Sequence, residues 1–279
     1  MAEVSCVIPT HGRDALLAEA IGSVVAQDLT PARLVVCDDV GSATTREVVA
    51  RWAARAPFPV AYQDTSGTGF GTAGASRNAG ALPIGSGLLA FLDDDDVWEP
   101  AFLRSLVGAL TTADADFAVG WTEADAGGGT YRIAKMPPGL TAPQVVARNP
   151  GFVGSNFVMR AEAFASLGGF DPTLTVSNDK DLLVRALAAG LRYVVVPEVL
   201  LHNRIHAGAQ LTDRTPRRLD GIVRYMDKHA ALLSAQDRRY LRAQVLSVRR
   251  VTEATALGRF LCGVRLAKER ATYALVARR

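Results

Sequence analysis

Four aspartates run in succession at Asp93–Asp96, directly after the apolar stretch GLLAFL at 87–92. Carboxylates packed together repel one another, and ionised ones are costly to take out of water. A divalent cation resolves that cost. Mg2+ and Mn2+ prefer oxygen ligands, and typically take one or two carboxylates with the rest from water and phosphate. A metal held this way can bridge a diphosphate and neutralise a departing phosphate. If the strand runs on through the acids, Asp93 and Asp95 face one side and Asp94 and Asp96 the other. All four then cannot hold one ion.

A second pattern competes with this one. GFGTAG at 69–74 is a literal G-x-G-x-x-G, and Asp94 lies 20 residues beyond Gly74. Taken alone, it supports an NAD-binding oxidoreductase. Three features count against that. The fingerprint normally occupies the first βα turn, and this is the third. The following segment, ASRNAGAL, puts an arginine one turn into its helix. One ribose contact needs one acid, whereas this strand ends in four.

The elements that must position these residues alternate along the first two hundred positions. Apolar runs at 4–10, 33–39, 59–64 and 87–96 read as strands. Helical spacing appears at 14–27 (Leu17, Ile21, Val24, Val25), at 43–55 (Val48, Val49, Trp52) and around 73–81. Such alternation implies βαβ units and a mostly parallel sheet. Three of the strands end in acids: Asp38-Asp39, Asp64 and Asp93–Asp96. In an open parallel sheet, ligands bind outside the carboxyl ends of the strands. Further on, 116–124 reads as a strand, 127–140 as a hairpin or loop, and 152–160 as a strand. Helices at 161–169 and 179–190 each end in glycine, and 191–198 is a last strand. From Thr215 the chain reads as helix, with Pro216 at the first helical position and a capping-box-like restart at SAQD, 234–237.

The chain has 279 residues, 49% of them hydrophobic, enough for a sizeable core. Its formal charge of +3 hides an asymmetry: residues 1–211 carry 15 Lys+Arg against 22 Asp+Glu, and residues 212–279 carry 16 against 6. The expected division is therefore a body at 1–211 and a basic helical segment at 212–279. Cys6, Cys37 and Cys262 form no metal or CxxC spacing and read as buried free thiols. No apolar run is long enough for a transmembrane helix, and MAEVSCVIPT is no secretory signal. The expectation is a cytoplasmic protein, with the basic tail available for peripheral contact at the inner face of a membrane, for dimerisation, or as a lid. Nucleic acid is not expected, because no basic groove with interleaved aromatics appears.

The order of motifs resembles that of family 2 glycosyltransferases with the GT-A fold. VSCVIPTHGR resembles the opening strand and Pro-Thr turn, VVCDDVGS the D-D-G-S segment, GASRNAG the A-R-N-x-G helix, and FLDDDDVWEP the D-x-D strand. GSNFVMRAEAFASLGGFD resembles the acceptor-side strand and helix, SNDKDLLVRALAAG the E-D helix, and RIH at 204–206 the late histidine. The resemblance covers about residues 3–210. It implies a Rossmann-like central sheet flanked by helices, a nucleotide-binding half at about 1–98 and an acceptor half at about 99–211, with the helical appendage outside them. It also implies roles: Pro9, Thr10 and Asp39 at the nucleotide base, Arg77 at the base or ribose side, and Asp94 near the ribose. Asp95 would be the main metal ligand with Asp93 supporting, His206 a further ligand, and Asp96 structural. Asp38, His202 and Trp98 read as structural, and His11 beside the nucleotide turn takes no role.

Inversion needs a carboxylate to take the acceptor proton, and the family's E-D pair supplies it. Here that pair reads Asn178-Asp179, so Asp179 is the expected base and Asp181 the second candidate. An acidic neighbour would raise the base's pKa and an amide would not. The implied donor is a UDP- or dTDP-sugar with Mn2+ or Mg2+. The implied acceptor offers a hydroxyl or amine and is lipid-linked or a small natural product. The alternative of another class is a non-catalytic nucleotide-binding module, since Asn178 departs from the family pattern.

Overall fold

The computed structural model describes residues 3–69, 71–125, 131–204 and 214–276. Its first half runs β1 (Val4–Thr10), α1 (Asp14–Val25), β2 (Arg33–Asp38), α2 (Ala43–Ala53), β3 (Val60–Asp64), α3 (Ala73–Ala81) and β4 (Leu88–Phe91). Ser42 and Thr72 cap α2 and α3 by accepting the backbone N–H groups of Thr45 and Ala75. The second half runs β5 (Asp96–Trp98), α4 (Phe102–Thr112), β6 (Phe117–Asp125), β7 (Tyr131–Ala134), α5 (Ala142–Val145), β8 (Phe157–Arg160), α6 (Ala161–Ser166), α7 (Asn178–Ala188) and β9 (Tyr193–Asn203). Three helices follow: α8 (Pro216–Lys228), α9 (Ala235–Thr252) and α10 (Ala256–Val276).

One sheet orders the strands β3-β2-β1-β4-β8-β6-β9-β5, with β7 on β6. The run β3-β2-β1-β4 is parallel throughout. Beyond β4 the pairings to β8, from β8 to β6, and from β9 to β5 are antiparallel, while β6 and β9 are parallel. The chain leaves β1 toward β2 and β3, then returns to place β4 on the other side. That reversal is a topological switch point, and a ligand crevice forms outside the strand ends there.

The sheet is covered on both faces, as the continuous apolar runs of β1 and β4 require. Alternation divides their side chains. Cys6, Ile8, Leu88 and Ala90 pack with α1 and α4, while Val7, Leu89 and Phe91 pack with α6 and α7. Phe91 meets Phe157, Phe164 and Phe170 with ring centroids 5.2–5.5 Å apart. Gly80 lets α3 lie close to the sheet: a Cβ there would stand 2.8 Å from both Val7 and Cys37. Tyr225, Leu233 and Leu241 of the tail join the second core, so α8 and α9 pack onto the body. No helix among the described residues is long and apolar enough to cross a membrane. The three thiols are free and buried, and burial pushes Cys37 up to about 12.

Three local expectations change. The strand read at 87–96 stops at Phe91, and the acids form a turn. The strand read at 152–160 begins only at Phe157, because Asn156 folds the preceding segment: its amide donates to the carbonyls of Gly120 (2.7 Å) and Gly151 (2.9 Å) and accepts from Val153 N–H (2.9 Å). Helix α4 and the short β5 escape the sequence reading, although Phe102, Leu103, Leu106, Val107 and Leu110 form the buried stripe of α4.

Candidate active site

The acidic turn follows β4, closed by the Asp96 N–H donating to the Asp93 carbonyl at 3.1 Å. Period-two alternation ends with the strand. One carboxylate oxygen each from Asp93, Asp95 and Asp96 therefore converges within 4.8 Å. Asp96, set apart by alternation, stands in the cluster, and Asp94 alone turns away. It accepts from Thr10 Oγ1 (2.8 Å), the His11 N–H (3.3 Å) and Arg13 Nη1 (2.9 Å). Burial pushes Asp94 up to about 6, with Arg13 and Thr10 opposing. Burial also pushes Asp96 well up, and the charges of Asp93 and Asp95 add to the effect. Three converging carboxylates fit a hard divalent cation, which would relieve that repulsion.

The turn is braced from below. Arg204 donates to the carbonyls of Asp95 (2.9 Å), Asp94 (3.3 Å) and Leu16 (3.1 Å), and pairs with Glu19. Ser155 Oγ accepts the Asp93 N–H at 2.9 Å, and Asn203 donates to Asp96 at 2.9 Å. Trp98 stacks on Phe102 at 4.2 Å and donates from its indole to the Ser155 carbonyl, beneath the acids. His202 sits between Glu99 and Glu123. His206 lies outside the described residues.

Thr10 and Asp38 are register partners at the ends of β1 and β2, as are Pro9 and Cys37 one step earlier. Asp39 follows, its N–H donating to the Thr10 carbonyl at 3.3 Å. Asp38 is fully buried and holds the turn by accepting from the Val40 N–H (3.0 Å), the Ser42 N–H (2.7 Å) and Tyr62 OH (2.9 Å). Asp39 is left to the crevice, where His11 Nδ1 meets it at 2.5 Å. Sequence reading missed this contact. It also missed Arg13, which spans Asp94 and Asp95 (2.6 Å to the latter). Both residues stand in PTHGR, so the signal was their place after the strand end.

Arg77 of α3 is only 3% exposed. It pairs with Asp93, donates to Asn178 Oδ1 at 3.4 Å and lies over the Phe170 ring at 5.1 Å. Its partners among the described residues do not include Thr10 or Asp39. Gly154 makes room for it, since a Cβ there would stand 2.5 Å from Nη2. The next residue, Asn78, exchanges hydrogen bonds with the Phe170 backbone at 2.7 and 2.8 Å. Arg77 thereby ties the acidic turn to the start of α7, and Asn178 accepts from it without adding charge.

Ser177, before α7, holds a left-handed φ of 60°, a strained conformation for a non-glycine residue. Asp179 follows, half-buried, accepting the Lys180 N–H at 2.7 Å. Burial pushes its pKa up and Asp93 adds to this, while Lys180 and Arg77 oppose. Lys180 is itself buried and brought down to about 8 by that burial; its Nζ stands 4.1 Å over the Tyr225 ring. Asp181 is fully enclosed by Arg185, Lys228 and His229, each at 2.8 Å. Burial would raise it, but these partners hold it below the ordinary range. It staples α7 to α8 and takes no part in the crevice.

A family model described as Glycosyl transferase family 2 matches residues 5–168. The chain belongs to that family. A second, Glycosyl transferase family group 2, matches residues 88–262 and so includes Asp179. Validoxylamine A glucosyltransferase of Streptomyces hygroscopicus subsp. limoneus is 36% identical over 108 residues, 38% of this chain and 23% of that protein. Succinoglycan biosynthesis protein ExoO of Rhizobium meliloti is 27% identical over 222 residues, 74% of this chain and 62% of that one. The chain thus spans less than two thirds of either relative's length. Among solved structures, S. aureus TarS 1–349 in complex with UDP-GlcNAc gives a TM-score of 0.68 at 16% identity, over 96% of this chain and 81% of that one. The mannosyltransferase PcManGT from Pyrobaculum calidifontis, in complex with GDP-Man and Mn2+, gives 0.62 at 18%, over 99% and 84%. These likenesses show the fold of this family 2 member, GT-A. The glycine fingerprint at 69–74 falls at the third βα turn, its last two residues, Ala73 and Gly74, opening α3.

Proposed function

We propose that the chain transfers a glycosyl group, with inversion, from a UDP- or dTDP-sugar to a hydroxyl or amine of a lipid-linked or small natural-product acceptor. The observation that carries this reading is the Arg77 bridge, which joins the three-aspartate cluster at Asp93 to the start of α7 beside Asp179. The Asp179 carboxylate, raised by burial, and the three-aspartate cluster are thereby tied together. The nucleotide-sugar complexes of two structural neighbours, one with Mn2+, support a donor of that class.

In this reading Thr10 and Asp39 face the nucleotide, and Asp93, Asp95 and Asp96 hold Mn2+ or Mg2+, with His206 as a further proposed ligand. The cation would supply positive charge to the diphosphate. Asp179 accepts the proton of the acceptor hydroxyl as its oxygen bonds to the anomeric carbon. The bond from that carbon to the diphosphate oxygen breaks, and its electron pair leaves with the diphosphate. Arg77 and Lys180 oppose the rise that burial imposes on Asp179.

The test is a thermal-shift panel of UDP, dTDP and GDP, each with and without Mn2+, followed by nucleotide-sugar turnover with Mn2+ and with EDTA. Mn2+-dependent stabilisation by UDP or dTDP, with turnover lost in EDTA, is expected. Nucleotide binding with no turnover in any condition would identify a non-catalytic module instead.

A further inference from the structure

A cavity of about 490 Å³ opens between the loop after α5 and the tail helices. None of its walls comes from the acidic crevice. Arg148, Arg214, Arg218 and Arg270 line it, with Tyr240 and Tyr273. A second cavity of about 260 Å³ shares Arg214 and Arg270 and adds Arg250. Among the described residues, no carboxylate lines either one. Arg148 lies over the rings of Tyr240 (4.5 Å) and Tyr273 (5.2 Å) and donates to the Tyr273 hydroxyl, so this wall is already set. Among the described residues, no carboxylate pairs with Arg148, Arg214 or Arg270.

Like charges facing one cavity repel and do nothing for folding. A multiply charged anion reverses the sign. Arginine's planar fork matches phosphate oxygens two at a time, and the cavity has room for more than a lone phosphate. We propose that this pocket binds a phosphate-bearing ligand, at a site separate from the acidic crevice. The phosphate belongs to a soluble compound or to a lipid headgroup. Leu257, Phe260, Leu261 and Val264 of α10 are exposed at helical spacing, the pattern of a helix lying on lipid, so both sources enter the test.

The whole chain is titrated by calorimetry with sodium pyrophosphate in EDTA, where the acidic crevice repels anions. Sodium chloride of equal ionic strength is the control. The same protein is sedimented with phosphatidylcholine vesicles, with and without phosphatidic acid. Saturable pyrophosphate binding is expected, weakened roughly tenfold or more in Arg214→Gln/Arg270→Gln. These positions are exposed, and an unchanged circular dichroism spectrum certifies the fold. Vesicle binding that needs phosphatidic acid and falls in the variant assigns a headgroup; pyrophosphate binding without it assigns a soluble ligand. No binding of either probe, binding equal in variant and wild type, or a chloride response matching pyrophosphate would each overturn the proposal.

Discussion

The crevice and the tail use arginine in opposite ways. In the crevice Arg13 and Arg77 each pair with an acid of the turn, and Arg204 braces that turn through its backbone carbonyls. In the tail, Arg214 and Arg270 are exposed and face a cavity whose described walls hold no acid. A net charge of −7 over residues 1–211 and +10 over 212–279 therefore does not describe two halves attracting each other. Part of the first charge is gathered in the acidic turn, the cation site proposed above; Arg214 and Arg270 of the second are exposed. The tail meets the body through specific contacts: Lys228 on Asp171 and Asp181, His229 on Asp181, Tyr225 on Lys180, Tyr240 and Tyr273 on Arg148, and Leu233 and Leu241 in the second core.

The largest way to test the contrast is Asp179→Asn. A positioned base contributes about 10²–10⁴ in rate, so turnover is expected to fall by that order with donor affinity kept in calorimetry. Unchanged turnover would move the base elsewhere. Next is Asp181→Asn, which leaves Lys228, His229 and Arg185 without their buried anion. Removing one partner of such a network costs about 3–5 kcal/mol, seen as a large fall in Tm. The protein that remains folded in the cold should still bind donor. A stable Asp181→Asn variant without activity would return Asp181 to candidacy as base.

These two acids show how much the sequence disclosed. Both sit two residues apart near a helix N-terminus, and nothing local distinguishes them. What does distinguish them is Lys228 and His229, 47 and 48 positions away, which only the docked tail brings to Asp181. Likewise the βαβ run from β1 to β4 was legible, because apolar stretches and caps alternate there without interruption. The acid run was legible as a cluster of carboxylates, but not its internal geometry, since alternation holds for a strand and the chain turns at Asp93. β5 is only three residues long, and its first is one of the four acids. The bracing by Arg204 uses backbone carbonyls, which leave no trace in side-chain identity.

Asp96 gives the sharper test of that turn. With its carboxylate inside the cluster, Asp96→Asn is expected to raise the Mn2+ needed for half-maximal turnover roughly tenfold. A metal requirement identical to wild type would mean that Asp96 only holds Asn203. A smaller effect concerns tuning. Asp179 works as the carboxylate, so turnover drops as pH falls through its pKa, which burial has already raised. The Lys180 charge opposes that rise. Lys180→Met is therefore expected to move the acid limb of the pH–rate profile to higher pH, by about one unit or less. The two profiles should converge above about 8, where wild-type Lys180 itself loses its proton. A limb that stays in place would show that Lys180 supports Tyr225 and nothing more.

The smallest expected effect lies in the tail. If the arginines of the cavity serve a ligand rather than the fold, Arg214→Gln/Arg270→Gln without ligand should leave Tm within about 2 °C of wild type, as exposed substitutions ordinarily do. Any change should be upward and should fade in high salt, because what is removed is mutual repulsion, which salt screens. A salt-independent fall would mean that these side chains pack α8 against α10 through their alkyl stems. The two regions would then differ only in the partner each arginine has found, a carboxylate in one and a neighbouring helix in the other.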